Sequence, residues 1–443
     1  MIEGWKPILK SRWTRSLKLL LSGSGTAVRL LNAKVGQLLF NDKEGTAAVD
    51  AVTAEIVEQL VESLGQLKGL AAKAGQIASF MDFAIPQAAK GVLQKLQDAI
   101  PPMPGSAVRQ IFLEEFGRPP DKLFHDWSDK PFAAASIGQV HQARLPNGTD
   151  VAVKVQYPGI KTAIQADLAN VELLDQIGTL LFRSQERGVF SAELAEHALA
   201  ECDYLQEADN QEAFRKIWAD DPDLIIPEVF REFSTQRVLT TQYCHGKRFY
   251  EFVDSAGQAE RNHAGTTIWR FAFRSTFVHQ IFNADPHPGN YLFHDGKVIF
   301  LDFGSVKRFE PAFMSEWLAL IRAMLERNRE RFKIGLQRLR LGKALTEADV
   351  DYLFHEGVYH LYEPWLNDRP FRYRPEFVAG IWSNLFVNNP AKFRMNTPRE
   401  FVLINRIHFG IFSLLALMGT EANWRRLFLP LIYSDSASNS EAV

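Results

Sequence analysis

The tightest constraint on this fold is a short hairpin with polar residues crowded at both of its ends. Tyr291–Phe293 and Val298–Leu301 read as two strands around Asp295-Gly296, a dipeptide suited to a tight turn. Asn283-Ala284-Asp285-Pro286-His287-Pro288-Gly289-Asn290 leads into it, and Asp302-Phe303-Gly304 leads out. Alone, Asp302-Phe303-Gly304 would be no more than a strand end and a turn. The hairpin keeps it in register with Asp285 and Asn290, and that combination is much more restrictive.

The spacing matches the D-x-x-x-x-N and D-F-G pattern of protein-kinase-like enzymes. Phosphoryl transfer needs a carboxylate to position or deprotonate the nucleophile, and oxygen ligands to hold Mg²⁺ across the β- and γ-phosphates. Asp285 suits the first task, Asn290 and Asp302 the second. A lysine is then expected upstream on a strand, and Val151-Ala152-Val153-Lys154 supplies it, leaving the Pro146-Asn147-Gly148 hairpin. An ammonium among apolar neighbours is costly unless it meets an anion. The α- and β-phosphates and Glu207 are the expected anions, with Glu207 placed in a helix that also holds Glu201, Cys202 and Asp203. Where a glycine-rich loop would cover the phosphates, the chain reads Ala133-Ala134-Ala135-Ser136-Ile137-Gly138. Alanines keep such a loop narrow but lose the positive-φ freedom of glycine, so nucleotide handling should differ. Tyr243-Cys244-His245-Gly246 occupies the position where backbone groups would bind adenine. Cys244 reads as a small buried residue more than a reactive thiol. His287, between two prolines, either orients Asp285 or is structural, and the structural role is favoured. No A-P-E motif follows Asp302, so the usual platform for a protein substrate is missing. No HExxH or paired-cysteine motif suggests a transition metal.

Apolar periodicity predicts helices over 48–80 and 87–99, then a break at Pro101-Pro102-Met103-Pro104-Gly105 and a short helix over 108–116. Strands follow at His141–Arg144 and Asp150–Gln156. Helices are expected over 160–181 and 192–218, a second strand pair at 225–230 and 237–243, and a mostly helical remainder apart from the hairpin. The domain reading is a basic N-terminal segment over 1–45, a helical extension over 46–104, a small-sheet lobe over 105–245, a helical lobe over 246–433 and a disordered tail over 434–443. The fold class is α+β: a protein-kinase-like two-lobe fold with a small antiparallel sheet in the N-lobe, an added N-terminal helical extension and a helical C-lobe.

At 46% hydrophobic and 23% charged residues, the chain can bury a real core. Its 50 Lys and Arg against 52 Asp and Glu argue against nucleic-acid binding by overall charge. Cys202 and Cys244 are too few for a disulfide framework, which favours a reducing compartment. The expectation is a cytoplasmic chain with no signal peptide and no transmembrane helix: Phe401–Met418 is interrupted by Asn405, Arg406 and His408 and reads as a buried helix. Residues 1–41 carry Lys6, Lys10, Arg12, Arg15, Lys18, Arg29 and Lys34 against Glu3 alone, with Trp5, Ile8, Leu9, Trp13 and Leu17 interleaved. Two readings fit: a peripheral helix on an anionic membrane, or a solvated helix packed on the main body.

The alanine-rich loop, Lys73-Ala74-Gly75-Gln76, Glu201-x-Asp203 and the Asp285–Asn290 motif together resemble the UbiB (AarF, ADCK) family of atypical kinases, over about residues 60–310. The Arg406 to Asn423-Trp424-Arg425 region is similar in flavour. The resemblance implies that the helix carrying Lys73 and Gln76 folds over the active site where a protein substrate would dock, with Glu201 and Asp203 facing Lys73. A lysine sealed over a nucleotide needs such carboxylates. It also implies ATP and Mg²⁺ as cofactors, and ATPase or small-molecule kinase activity in or near ubiquinone biosynthesis, with an isoprenoid-quinone precursor or another small lipid as partner. A nucleotide-binding scaffold and a true protein kinase are the alternatives. Retention of Lys154, Asp285, Asn290 and Asp302 speaks against the first; Lys73–Gln76 and the missing A-P-E speak against the second. Many relatives carry a membrane-spanning helix at one end and this chain has none, so either residues 1–41 replace it or the target is not a quinone precursor.

Overall fold

A computed structural model describes residues 102–433 apart from 136, 169–194, 197, 343, 393 and 397. The expected segments over 1–45 and 434–443, and nearly all of the helical extension, lie outside the described residues.

Two hydrophobic clusters organise the described chain, one drawn from residues between Met103 and Leu239, the other from residues between Phe214 and Ile432. The first is built on a five-stranded antiparallel sheet. Strands β1 (Asp126–Trp127), β3 (Gly138–Arg144), β4 (Asp150–Gln156) and β6 (Val238–Gln242) lie in that order, and β2 (Ala133–Ala135) pairs with β3. Strand β4 shows why the lysine faces where it does. Val151, Val153 and Val155 are fully buried, and alternation turns Ala152 and Lys154 to the other face. Helix α1 (Gly105–Phe116) joins the buried side, where Phe112 meets Phe124 and Trp127 edge-on. Gly148, at φ +88°, makes the β3–β4 turn possible.

Helix α2 (Ile160–Leu168) is the described part of the helix expected over 160–181. The helix expected over 192–218 is broken. Asp203 accepts hydrogen bonds from the Leu205 and Gln206 amides and starts a new helix, α3 (Tyr204–Ile217). Glu201 and Cys202 therefore lie in a turn ahead of α3, because an N-cap aspartate satisfies amides that would otherwise be left bare. The strand pair expected at 225–230 and 237–243 is also revised. Pro227 interrupts it, leaving one bridge between Val229 and Thr241. Instead β5 (Leu224–Ile225) runs parallel to β10 (Lys297–Phe300), a strand of the predicted hairpin.

That hairpin is β9 (Tyr291–His294) and β10 (Lys297–Phe300), extended on its other edge by β7 (Lys247–Arg248). Two further pairs escaped the sequence reading: β8 (Ile281–Asn283) with β11 (Val306–Arg308), and β12 (Phe371–Arg372) with β13 (Glu421–Ala422). All are two or three residues long, too short for a periodicity signal. Around them pack α4 (Phe249–Ser255), α5 (Gln258–Phe277), α6 (Pro311–Leu325) and the helices that follow, among them Arg399–Met418. Trp269, Trp317, Trp365 and Trp424 are fully buried at the centre. No helix among the described residues is long and apolar enough to cross a membrane.

Candidate active site

Lys154 is the hub. Its ammonium donates to both Glu207 oxygens at 2.9 Å and to Asp302 Oδ2 at 3.3 Å, and it lies 5.0 Å from the centre of the Tyr204 ring. Burial opposes the charge on Lys154, but the Asp302 and Glu207 carboxylates outweigh it and hold the ammonium well above its ordinary range. Burial pushes the Glu207 carboxyl up, to about 7, against the pull of Lys154.

Asp302 is held from several directions. Its Oδ1 accepts the Gly304 amide at 3.0 Å. Phe303 is fully buried with its ring centre 5.3 Å from Phe214 of α3, and Asn210 of α3 donates to the Phe303 carbonyl at 3.2 Å. The helix that carries Glu207 thus also fixes the segment that carries Asp302. Asn283 makes the next link. Its side-chain amide donates to the Asp302 carbonyl at 2.6 Å, and its Oδ1 accepts the Asp285 N–H at 3.3 Å. Asn290 Nδ2 donates to the Asp285 carbonyl at 2.9 Å and to Asp285 Oδ2 at 3.0 Å. With its nitrogen so used, Asn290 keeps an amide oxygen for a cation. His287 Nδ1 accepts the Gly289 amide at 3.0 Å and caps the short Pro288–Asn290 turn, the structural role.

The β2–β3 hairpin, the alanine-rich loop, differs from a free flap. Ile137 is buried, and its carbonyl accepts the Tyr157 amide at 2.9 Å. Ala133, Ala134 and Ala135 pair with Val140, Gln139 and Gly138, while Ser136 lies outside the described residues. Gly138 has no room to be anything else: a Cβ there would sit 2.4 Å from the Val155 carbonyl oxygen. Behind the hairpin runs a buried polar chain. The Met103 amide donates to Gln139 Oε1 at 2.8 Å, Gln139 Nε2 lies 2.8 Å from His141 Nε2, and His141 Nδ1 lies 2.8 Å from the Ser128 carbonyl. The carbonyl fixes the proton on Nδ1, so His141 Nε2 accepts from Gln139.

At the expected adenine position, the Tyr243 amide is already donated to the Asp150 carbonyl at 3.0 Å, and the Tyr243 ring lies against Phe132 and His245. Cys244 is half-buried, and burial pushes its thiol up to about 11. Register also puts Thr241 opposite Ala152, on the face that carries Lys154. Glu201 is buried beside Gly304: a Cβ on Gly304 would lie 3.3 Å from Glu201 Cγ and 3.4 Å from Glu207 Oε2. Asp203 is engaged as the α3 cap. Lys73 and Gln76 lie outside the described residues.

The structure thus brings Lys154, Glu207, Asp302, Asp285 and Asn290 together by direct or one-residue contacts. Asn283, Tyr204, Gln139, His141 and Thr241 were not assigned from sequence. Asn283 stands two residues before Asp285 and could have been suspected; the others are revealed by strand register and burial.

A five-stranded sheet, a helix glutamate on a strand lysine, and paired loops beneath them define the class: a protein-kinase-like fold. The comparisons agree. The ABC1 atypical kinase-like domain matches residues 95–334. The mitochondrial atypical kinase COQ8 of Schizosaccharomyces pombe is 31% identical over 402 residues, covering 86% of this chain and 63% of that protein. Rat mitochondrial atypical kinase COQ8B is 33% identical over 334 residues, 71% of this chain and 60% of that protein. This chain therefore spans less than two thirds of either relative. Among solved structures, Rv3197 of Mycobacterium tuberculosis, in complex with erythromycin, superposes with a TM-score of 0.62 at 28% identity, covering 86% of this chain and 98% of that one. The chain belongs to the ABC1, or UbiB-type, family of atypical kinases.

Proposed function

We propose that the protein binds ATP with Mg²⁺ between its two cores and acts as an ATPase or as a kinase of a small, lipid-like molecule, in support of ubiquinone or other isoprenoid-lipid metabolism. The observation that carries this reading is the unbroken run of contacts from Glu207 through Lys154, Asp302 and Asn283 to Asp285 and Asn290.

Lys154, steadied by Glu207, binds the phosphates. Asp285 positions or deprotonates the attacking hydroxyl or water. Asn290 and Asp302 are the protein ligands for Mg²⁺. No three His, Cys, Asp or Glu side chains among the described residues form a metal cage of their own. A cation here would complete its shell with phosphate oxygens and water, as Mg²⁺ does. When bound, Mg²⁺ supplies charge neutralisation across the β- and γ-phosphates. The adenine meets the Tyr243–Cys244 segment under Ala133–Ala135 and Gly138. The segment bearing Lys73 and Gln76, with Glu201 and Asp203, is the proposed lid that keeps polypeptides out.

Phosphate release from Mg-ATP tests the proposal. Asp302→Asn should lower the rate at least roughly 100-fold, by loss of charge stabilisation at the transferring phosphate. Equal rates for wild type and variant would leave a nucleotide-binding scaffold; transfer of label to a generic protein would favour a protein kinase.

A further inference from the structure

Tyr204 is the first residue of α3, one turn ahead of Glu207, and it is fully buried. The face of its ring lies under the Lys154 ammonium at 5.0 Å. Its hydroxyl points to the alanine-rich hairpin, 2.9 Å from where a Cβ on Gly138 would stand. The ring thus spans the two groups that would flank a triphosphate tail, the lysine and the hairpin. Among the described residues the hydroxyl has no hydrogen-bond partner. A buried hydroxyl without a partner costs about 1–3 kcal/mol, and phenylalanine would fill the same space without that cost. Burial pushes the hydroxyl far above its ordinary range, so it remains a proton donor at any physiological pH.

We propose that Tyr204 is a phosphate-binding residue, whose hydroxyl donates to a phosphate oxygen of the bound nucleotide. The proposal rests on the nucleotide-binding reading above and adds to it a donor from the helix that holds Glu207. Lys154 provides charge on one side of the ring; Tyr204 provides a directed hydrogen bond on the other. Gly138 is part of the same device, because any larger residue would press on the Val155 carbonyl and on this hydroxyl together.

Tyr204→Phe tests it by two readouts on the full chain: melting temperature without nucleotide, and affinity for Mg-ATP, Mg-ADP and adenosine. The expected result is an unchanged or higher melting temperature, with affinity for Mg-ATP and Mg-ADP about 10-fold weaker and adenosine unaffected; one good charge-assisted hydrogen bond is worth about that factor. A lower melting temperature without nucleotide would overturn the proposal, since the hydroxyl would then already have a partner in the empty protein. Unchanged Mg-ATP and Mg-ADP affinity in the variant, with wild type binding both, would overturn it while leaving the nucleotide site intact. Equal weakening for adenosine would also overturn it, by assigning the effect to general distortion. If wild type binds none of the three, the nucleotide reading fails and Tyr204 fails with it.

Discussion

On the N-lobe side of the site, position is set by polar groups that have been buried and then satisfied: Lys154 with Glu207, and Met103 with Gln139 and His141. On the C-lobe side, Asp285 and Asn290 stand on short backbone-bonded turns that rest on a core of stacked aromatics. Trp365 packs against Phe428 at 4.0 Å between ring centres, and Phe271 against Phe300 at 3.9 Å. The two constructions fail differently. An aromatic core loses stability in proportion to the volume removed, wherever the ligand is. A buried polar network loses geometry first, because each member is directional and each has few substitutes. The C-lobe core is thus held by packing, and the polar chain behind the β2–β3 hairpin by hydrogen bonds.

Removing packing should give the largest effect. Trp365→Ala deletes a fully buried side chain and should cost about 3–5 kcal/mol, read by denaturant titration. A loss below about 1 kcal/mol would mean that aromatic packing is not what holds the C-lobe core.

The second effect is pH-dependent and comes from the same core. His408 lies among Phe273, Trp317, Tyr362, Trp365 and Phe412. Burial lowers its pKa from 6.5 to about 4. The unfolded chain then takes up a proton that the folded chain refuses, so stability present above pH 6.5 is lost as the pH falls toward 4. The loss is worth ~3 kcal/mol. His408→Phe should flatten that slope between pH 7 and 4.5 in urea melts; an unchanged slope would place the titrating group elsewhere.

On the other side of the comparison, Gln139→Leu leaves the Met103 amide and His141 Nε2 without their partner. The expected cost is about 1–3 kcal/mol, with faster hydrogen exchange at Met103 and little change in the C-lobe. Uniform exchange across both lobes would erase the contrast between the two constructions.

Smallest is the catalytic pH limb. With Glu207 pushed up to about 7, the carboxylate that steadies Lys154 is lost as the pH falls through that value. Phosphate release should then fall by up to tenfold between pH 7 and pH 6, about 1.4 kcal/mol. Glu207→Gln, slow at every pH, should show no such limb.

How much of this was legible beforehand varied by residue. The β9–β10 hairpin, Lys154 on β4 and the buried helix over Arg399–Met418 announce themselves through turn chemistry, alternation and apolar spacing, all local properties. The break before α3 is hidden in the sequence because Ala192 to Trp218 keeps a helical rhythm; only the Asp203 cap interrupts it. The pairing of β5 with β10 could not be read at all, since two residues carry no period and their partner is more than seventy positions away.

The chain's own order of residues therefore determined which groups are candidates to handle a phosphate, because Asp285, Asn290, Asp302 and Lys154 are recognisable by short spacing alone. Folding decided what surrounds them: that Asn283 ties two loops together, that Gly138 can bear no side chain, that Gln139 meets Met103, and that Tyr204 lies beneath the lysine. Those are contacts between segments distant in sequence. They depend on which faces are buried together, and no local pattern encodes that.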